Sequence, residues 1–319
     1  MDVYMYSDYL CSRMEKIAGA KNVLKDEPMN KHTTFKIGGN ADYLVTPSTT
    51  EQIKELVELF NEEKVPYYVI GNGSNLLVSD DGVRAVVIKL YDRYSGYEFL
   101  HSDAGPAVDK ENVVYIKVQA GMSLVKLGKI AADNSLTGFE FASGIPGSMG
   151  GAVMMNAGAY GGEIKDVLVK ATVMDSEGNI SELTNEELEL GYRTSIVARK
   201  ELIVLDAVIA LKPGDKTRIK EKMSELSASR VSKQPLEYPS AGSTFKRPEG
   251  NFAGKLIQEA GLKGASAGGA MVSTKHCGFV VNTGNATARD VIELTDMIRQ
   301  KVYHESGVKL ELEVKKMGF

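Results

Sequence analysis

Eight of the twenty-five residues in the run 138–162, GFEFASGIPGSMGGAVMMNAGAYGG, are glycine, and most of the others are small. Glycine loses more backbone freedom on folding than any other residue, so neither a helix nor a strand requires such a run. What requires it is a backbone at positive φ, or one that must come very close to something else. Successive N–H groups in such a loop form a concavity for anions, which suits the phosphates and flat ring of a nucleotide cofactor. A flexible linker would lean on Gly/Ser repeats. This run instead carries Phe139, Phe141, Ile145, Val153, Met154, Met155 and Tyr160, which favour burial, so the sequence predicts a packed loop.

The rest of the chain is long enough to build around that loop. Its 319 residues allow two or three domains, each with its own core. A net charge of −4 provides no basic field for nucleic acid or an anionic membrane. Cys11 and Cys277 lie far apart, and His32, His101, His276 and His304 are scattered, so the expectation is free thiols and no metal site. The N-terminus has an early acid and no long apolar core, unlike a signal peptide. No segment approaches the roughly twenty apolar residues of a membrane helix, and the chain is expected to be cytoplasmic.

Periodicity organises the chain as follows. Leu10, Met14 and Ile17 predict a helix over 9–20. Gly38-Gly39 reads as a turn into a strand over 41–45. Ser48-Thr49-Thr50-Glu51 fits a capping box for a helix with Ile53, Leu56, Val57 and Phe60 on one face. A buried strand over 67–70 leads into Gly71-Asn72-Gly73-Ser74-Asn75-Leu76. This resembles the dinucleotide fingerprint GxGxxG, but Leu76 occupies the third glycine position and no long helix follows to receive a pyrophosphate. A strand–loop–strand with N–H groups for phosphate and a plain β-turn both remain open.

Residues 91–112 read as a long loop or hairpin excursion. Further strands are expected over 85–90, 113–120, 167–174, 180–183 and 202–211, and a helix over 123–132. The last hundred residues change in texture, with a boundary near 212–216. They hold helices over 217–229, over 252–260 and after Thr287, a strand over 277–281, and the alternating VKLELEV, which predicts a closing strand.

No Walker sequence, GxSxG elbow, HExxH or kinase signature is present. Three other residues attract attention on chemistry. Arg193 sits in a polar patch, where a solvated surface arginine is the plain alternative. Ser243 sits in a small-residue loop, where a turn serine bonded to its own backbone is the alternative. Glu313 falls on a face shared with Lys309, Glu311 and Lys315; the pattern describes a solvated face and does not separate Glu311 from Glu313.

Taken together, seven ordered pieces resemble one family. They are TTFKIGGNADYLV, YYVIGNGSNLLVSDDG, GFEFASGIPGSMGGAVMMNAGAYGGEI, GYRTS, AGSTFKRP, KHCGFVVNTGNATA and LELEV, running from about residue 30 to the C-terminus. The set resembles the bacterial UDP-N-acetylenolpyruvoylglucosamine reductases of peptidoglycan synthesis. The resemblance implies an α+β chain: a two-lobed FAD-binding domain of the vanillyl-alcohol-oxidase (PCMH) type, then a smaller α+β substrate-binding domain. The divisions expected are 1–90 for the N-terminal helix and first FAD lobe, 91–213 for the second lobe, and 214–319 for the substrate domain.

The resemblance also implies the chemistry: NADPH-dependent, FAD-mediated reduction of the enolpyruvyl ether of UDP-N-acetylglucosamine to UDP-N-acetylmuramate. It places FAD on Gly71, Asn72, Gly73, Ser74, Asn75 and Leu76, on Gly144, Ile145, Pro146, Gly147, Ser148, Gly150 and Gly151, and on Asn156, Gly158, Ala159 and Tyr160. GYRTS, AGSTF and LELEV supply Arg193, Ser243 and Glu313 as catalytic residues, while Tyr192, Lys233 and Arg247 fall near substrate. These residue types suit the reaction. A hydride from flavin N5 adds to the far carbon of the enol ether, and a fixed cation with a protonated carboxyl stabilises the enolate-like state. A hydroxyl held close then protonates so strong a base.

The implied partners are the UDP-sugar and NADPH, with no nucleic acid and no membrane insertion, and the chain is expected to be monomeric. Leu312 stands where the family commonly has proline. The short substrate domain matches the family type lacking an extra tyrosine-bearing loop. Another FAD oxidoreductase on the same cofactor domain, or a flavin-free nucleotide-sugar binding protein, are the alternatives.

Overall fold

The longest apolar stretch of the chain, Ile203–Pro213, becomes the centre of a six-stranded antiparallel sheet. Its order is Ile180–Thr184, Leu168–Met174, Ile203–Pro213, Val114–Gln119 and Tyr97–Leu100, with the short strand Leu136–Thr137 pairing at the end of the central one. A middle strand is covered on both faces, which is why seven consecutive residues of Ile203–Pro213 are buried and no alternation survives. The computed structural model describes residues 8–100 and 113–319. The hairpin expected over 91–112 is therefore seen in its first strand: Tyr97 pairs with Val118 and Leu100 with Tyr115. The remainder, 101–112, lies outside the described residues.

Two compact units emerge. The first comprises Met1–Lys25, Tyr43–Asn72 and Ala85–Ala228; the second comprises Asp26–Asp42, Gly73–Arg84 and Ser229–Phe319. The C-terminal segment thus folds with two short pieces of the N-terminal third.

In the first unit the helices follow their periodicity. Asp8–Ala18 buries Leu10 and Met14, and Thr50–Glu62 buries Ile53, Leu56, Val57 and Phe60. The start of the second helix differs from expectation by one residue. Thr49 is the cap and accepts from the Gln52 N–H, while the Gln52 amide oxygen accepts from the Ser48 N–H at 2.8 Å. The amide does the work assigned to Glu51 because it sits three residues after the true cap. The strand Tyr67–Ile70 is not fully buried either: it is an edge strand, paired on one side with Val83–Lys89, and Tyr68 is 42% exposed.

The glycine run contains an element that propensity argued against. Met149–Met155 is a short helix, with Met149, Ala152 and Val153 buried and the chain leaving through Asn156 at φ 41. It packs against the central strand Ile203–Pro213. Tertiary packing overrides the cost of two glycines here, because small residues let the helix approach: a Cβ on Gly150 would stand 2.9 Å from the Ala120 Cβ.

The second unit holds an antiparallel meander, Ser266–Ala267, Ala270–Val272 and Val280–Asn282, with helices Ala253–Glu259 and Ala288–Ser306. The long helix buries Val291, Leu294, Ile298 and Val302. Each such side chain contributes roughly 1.5–3 kcal/mol by leaving water. Its capping box is complete between Thr287 and Asp290, and the Asp80 carboxylate also accepts from the N–H groups of Ala288 and Arg289 at 2.8 and 3.0 Å. The closing strand is displaced from its expected place. VKLELEV forms only a single bridge, Leu312 to Phe245, and the strand is Lys315–Met317, parallel to Leu76–Val78. The alternation in the sequence reflects burial of Leu310 and Val314 from an irregular segment.

Candidate active site

The two glycine loops are tied to the protein by specific bonds. In the first unit, Gly71 follows the edge strand Tyr67–Ile70, and a Cβ there would fall 2.0 Å from the Ser148 hydroxyl oxygen. The next side chain, Asn72, donates to the Pro146 carbonyl at 2.6 Å. The 147–150 segment is pinned in turn: Leu124 donates to the Gly147 carbonyl, Met149 to Met122 and Gly150 to Ala120. The N–H groups of Met149 and Gly150 are thus consumed by protein carbonyls, while Gly144, Ile145 and Gly151 retain exposed or half-exposed surface. Non-glycine residues also take left-handed backbone here, Asn156 at φ 41 and Tyr160 at φ 55.

The second half of the 71–76 loop belongs to the second unit. Gly73 is buried at φ 65, and a Cβ on it would strike the His32 carbonyl at 2.0 Å. Among the described residues, the backbone N–H groups of Gly73, Ser74 and Asn75 meet no protein acceptor. Three consecutive donors of this kind suit a phosphate oxygen. A flavin dinucleotide, whose two phosphates need such donors, therefore fits the residues present.

Arg193 stands on a tight turn in the first unit. Gly191 and Thr194 exchange backbone bonds at 3.0 and 3.4 Å, and Arg193 occupies the turn at φ 55. A left-handed L-residue costs roughly 1–2 kcal/mol, so the surroundings must hold it there. They do so from the glycine run. The Asn156 amide donates to the Gly191 carbonyl at 3.2 Å, and the Ser195 hydroxyl donates to the Met154 carbonyl at 2.7 Å. The guanidinium donates to the Gly158 carbonyl at 3.5 Å and lies 5.1 Å from the centre of the Tyr192 ring. Arg193 is half-buried and structured, unlike a solvated surface arginine.

Ser243 and Glu313 are presented in the second unit by one set of backbone bonds. Thr244 is 2% exposed; its N–H donates to Gly278, its hydroxyl accepts from the Val280 N–H, and its carbonyl accepts from the Glu313 N–H at 2.9 Å. With Thr244 fixed, Ser243 faces outward from Gly242 at φ 76, and its hydroxyl has no bond to its own loop among the described residues. Glu313 is also joined to the 71–76 loop, because Asn75 donates to its carbonyl at 3.1 Å and Lys315 donates back to Asn75 at 2.9 Å. The structure separates the two acids that the sequence pattern left equivalent. Glu311 is exposed and paired with Lys246 at 3.0 Å, whereas Glu313 is half-buried.

Of the remaining expected residues, Tyr192 is exposed in the first unit. Lys233 ends the helix Lys216–Lys233, and Arg247 lies 4.0 Å from the centre of the Phe252 ring, both in the second. The structure groups Arg193 with Asn156, Gly158 and Glu163, and groups Ser243 with Glu313 and Asn75. Two residues escaped the sequence reading. Thr244 left no signal, since its role is made by distant carbonyls. Glu163 escaped for a different reason: it forms a reciprocal capping box with Asp166, but Glu-x-x-Asp departs from the Ser/Thr-x-x-Glu/Gln signature.

Comparison with known proteins places these features in a family. The profile of the FAD binding domain matches residues 41–184, and that of the UDP-N-acetylenolpyruvoylglucosamine reductase C-terminal domain matches residues 234–317. The chain is 50% identical to the UDP-N-acetylenolpyruvoylglucosamine reductase of Clostridioides difficile, over 95% of each chain. It is 55% identical to that of Agathobacter rectalis, over 93% of this chain and 94% of the relative. The chain belongs to the UDP-N-acetylenolpyruvoylglucosamine reductase family. The crystal structure of the reductase from Thermus caldophilus, 37% identical, superposes with a TM-score of 0.75 over 92% of this chain and 98% of that one. Membership in the reductase family, with the FAD-domain match, makes this a two-domain α+β flavoprotein oxidoreductase.

Proposed function

We propose that the chain reduces the enolpyruvyl ether of UDP-N-acetylglucosamine to UDP-N-acetylmuramate in peptidoglycan precursor synthesis, with NADPH as reductant. The supporting observation is the anchoring of Ser243 and Glu313 through a single residue, Thr244, in a chain of this reductase family. In this reading 1–90 and 91–213 serve the cofactor and 214–319 serves the substrate.

FAD bound to these loops would supply hydride chemistry, linking NADPH as reductant to the methylene carbon of the enol ether. The double bond's electron pair then moves toward the substrate carboxylate. Arg193 carries a positive charge on a turn held by Asn156, which favours that build-up of negative charge. Glu313, in its acid form, adds a hydrogen bond to the same charge. Ser243 gives its hydroxyl proton to the adjacent carbon and recovers one from water. The balance is one hydride and one proton added across a carbon–carbon double bond. Lys233, Arg247 and Tyr192 are assigned to the UDP-sugar, the first two as cations for diphosphate or carboxylate. The loop 71–76, the 144–151 segment and the 156–160 segment are assigned to FAD. The protein is taken to act as a cytoplasmic monomer; among the described residues no helix is long and apolar enough to cross a membrane.

The test is spectroscopic. Purified protein should carry a flavin absorbance that NADPH bleaches and enolpyruvyl-UDP-N-acetylglucosamine restores under anaerobic conditions. A protein that binds FAD and is bleached by NADPH, yet is not reoxidised by this ether, overturns the assignment.

A further inference from the structure

Arg193 is held from two directions, by the Gly158 carbonyl of one small ladder and by Asn156 beside it, and the ladder's polar side chain, Glu163, has no role in the reaction as written. The ladder pairs Gly158–Ala159 with Gly162–Glu163, Gly158 lying opposite Glu163. Its Gly158 carbonyl accepts from the Arg193 guanidinium. Behind it sits Asn156, fully buried and itself in left-handed backbone. All of its amide capacity that the fold can reach is used: Oδ1 accepts from the Lys165 N–H at 3.0 Å, and Nδ2 donates to Glu163 Oε2 at 3.0 Å and to the Gly191 carbonyl at 3.2 Å. Glu163 is secured in turn by Lys165 Nζ at 2.8 Å and by its own N–H, which donates to Asp166 at 2.7 Å. The backbone of the arginine's turn is therefore fastened to Asn156 and the arginine's head group to Gly158, and both of these are braced against Glu163.

We propose that Glu163 and Asn156 are positioning residues for Arg193, setting where its guanidinium stands without touching substrate. The charges agree with this: the Lys165 ammonium first, then the Asn156 amide and Arg193, hold the Glu163 carboxyl below its ordinary range against the opposing effect of burial. An ionised Glu163 is the acceptor that keeps Asn156 Nδ2 turned toward Gly191. Losing it frees the amide, and the strained turn at Arg193 loses its hold. The proposal rests on the reading of Arg193 as the cation that stabilises the enolate-like state, and the experiment separates the two.

Both half-reactions are measured anaerobically in the holoenzyme: bleaching by NADPH, and reoxidation by the enolpyruvyl ether. Glu163→Ala should slow reoxidation about tenfold while bleaching stays within twofold of the parent. Glu163→Gln, which keeps an acceptor for Asn156, should recover most of that loss. In an Arg193→Lys background Glu163→Ala should add no further slowing, because the group it positions is gone. Product binding, followed by the shift it causes in flavin absorbance, should weaken in the same pattern. Parental reoxidation in Glu163→Ala overturns the proposal. So does equal slowing of both half-reactions, or a full tenfold added in the Arg193→Lys background. If Arg193→Lys alone reoxidises at the parental rate, the reading of Arg193 fails instead. Where Glu163→Ala retains no flavin, Glu163→Asp carries the test. It keeps the charge and withdraws the acceptor from Asn156 by one methylene, and the same outcomes decide.

Discussion

Arg193 and Ser243 both stand on short turns next to a residue at positive φ or at positive φ themselves, yet the two turns are secured by different means. The arginine's turn is held by side chains: Asn156, Ser195 and, through Asn156, Glu163. The serine's turn is held mostly by main chain: the Thr244 backbone bonds to Gly278 and Glu313, and only its hydroxyl, accepting from the Val280 N–H, is a side chain. A main-chain clamp is indifferent to the identity of most neighbours. A side-chain clamp can be undone by one substitution. The unit carrying Arg193 should accordingly be the one whose chemistry is easily mistuned at a distance, and the unit carrying Ser243 the one in which only the reacting groups matter.

The sharpest check is Ser243→Ala. It should cut turnover about a thousandfold while bleaching by NADPH stays parental, because the proton donor is lost and the main-chain clamp is untouched. Loss of both half-reactions together would break the comparison.

Next in size is the pair of acids. Glu313→Gln should cost about a hundredfold in turnover, whereas Glu311→Gln removes only an exposed partner of Lys246 and should stay within twofold. Similar losses in the two variants would show that the backbone bond of Glu313 does not single it out.

A third experiment concerns the first unit's packing. Gly71→Ala places a methyl against the Ser148 hydroxyl and should destabilise by about 1–3 kcal/mol, with FAD released more readily. Adding Ser148→Gly should restore the melting temperature. A double variant no better than the single would mean the backbone, and not that hydroxyl, sets the limit.

Acid should then weaken the two regions in different windows. Burial holds His276 below its ordinary value of 6.5, an effect a backbone bond only partly offsets. Its folded value being the lower one, the stability it confers is complete above 6.5 and is lost as pH falls through the folded value. Glu163, held below 4.5, loses its contribution only in stronger acid. Between pH 7.5 and 5.5 the melting temperature of His276→Gln should fall less than that of the parent, while Glu163→Gln should fall as much. Parallel curves for all three proteins would remove the distinction.

The smallest effect is expected at Gln234, whose Oε1 is buried without a hydrogen-bond partner among the described residues. An unmet acceptor is unfavourable by about 1–3 kcal/mol, so Gln234→Met should melt no lower than the parent. A clear drop would reveal a bond that the fold makes in solution.

Much of this was legible beforehand, and the parts that were not share a cause. The helix Ala288–Ser306 was plain because its cap and its 3.6-residue period are local properties. The central strand Ile203–Pro213 was plain because a run of apolar residues has few other places to go. The helix Met149–Met155 was hidden because Gly150 serves a close approach to Ala120, a partner thirty positions away. The exposure of Tyr68 was hidden because being at a sheet edge depends on which strands arrive beside it.

The sequence by itself determined the kinds of chemistry available: glycine loops without a fingerprint helix, an arginine between a tyrosine and a threonine, a serine among small residues, and two acids in a terminal alternation. Ordered together, those pieces also determined the family. Only the tertiary structure decided which acid is half-buried, what holds Arg193 in a left-handed turn, and which donors of the 71–76 loop remain unspent. Those are questions of which distant carbonyl or amide meets which group, and a hydrogen bond between residues far apart in the chain leaves no period in the sequence to be read.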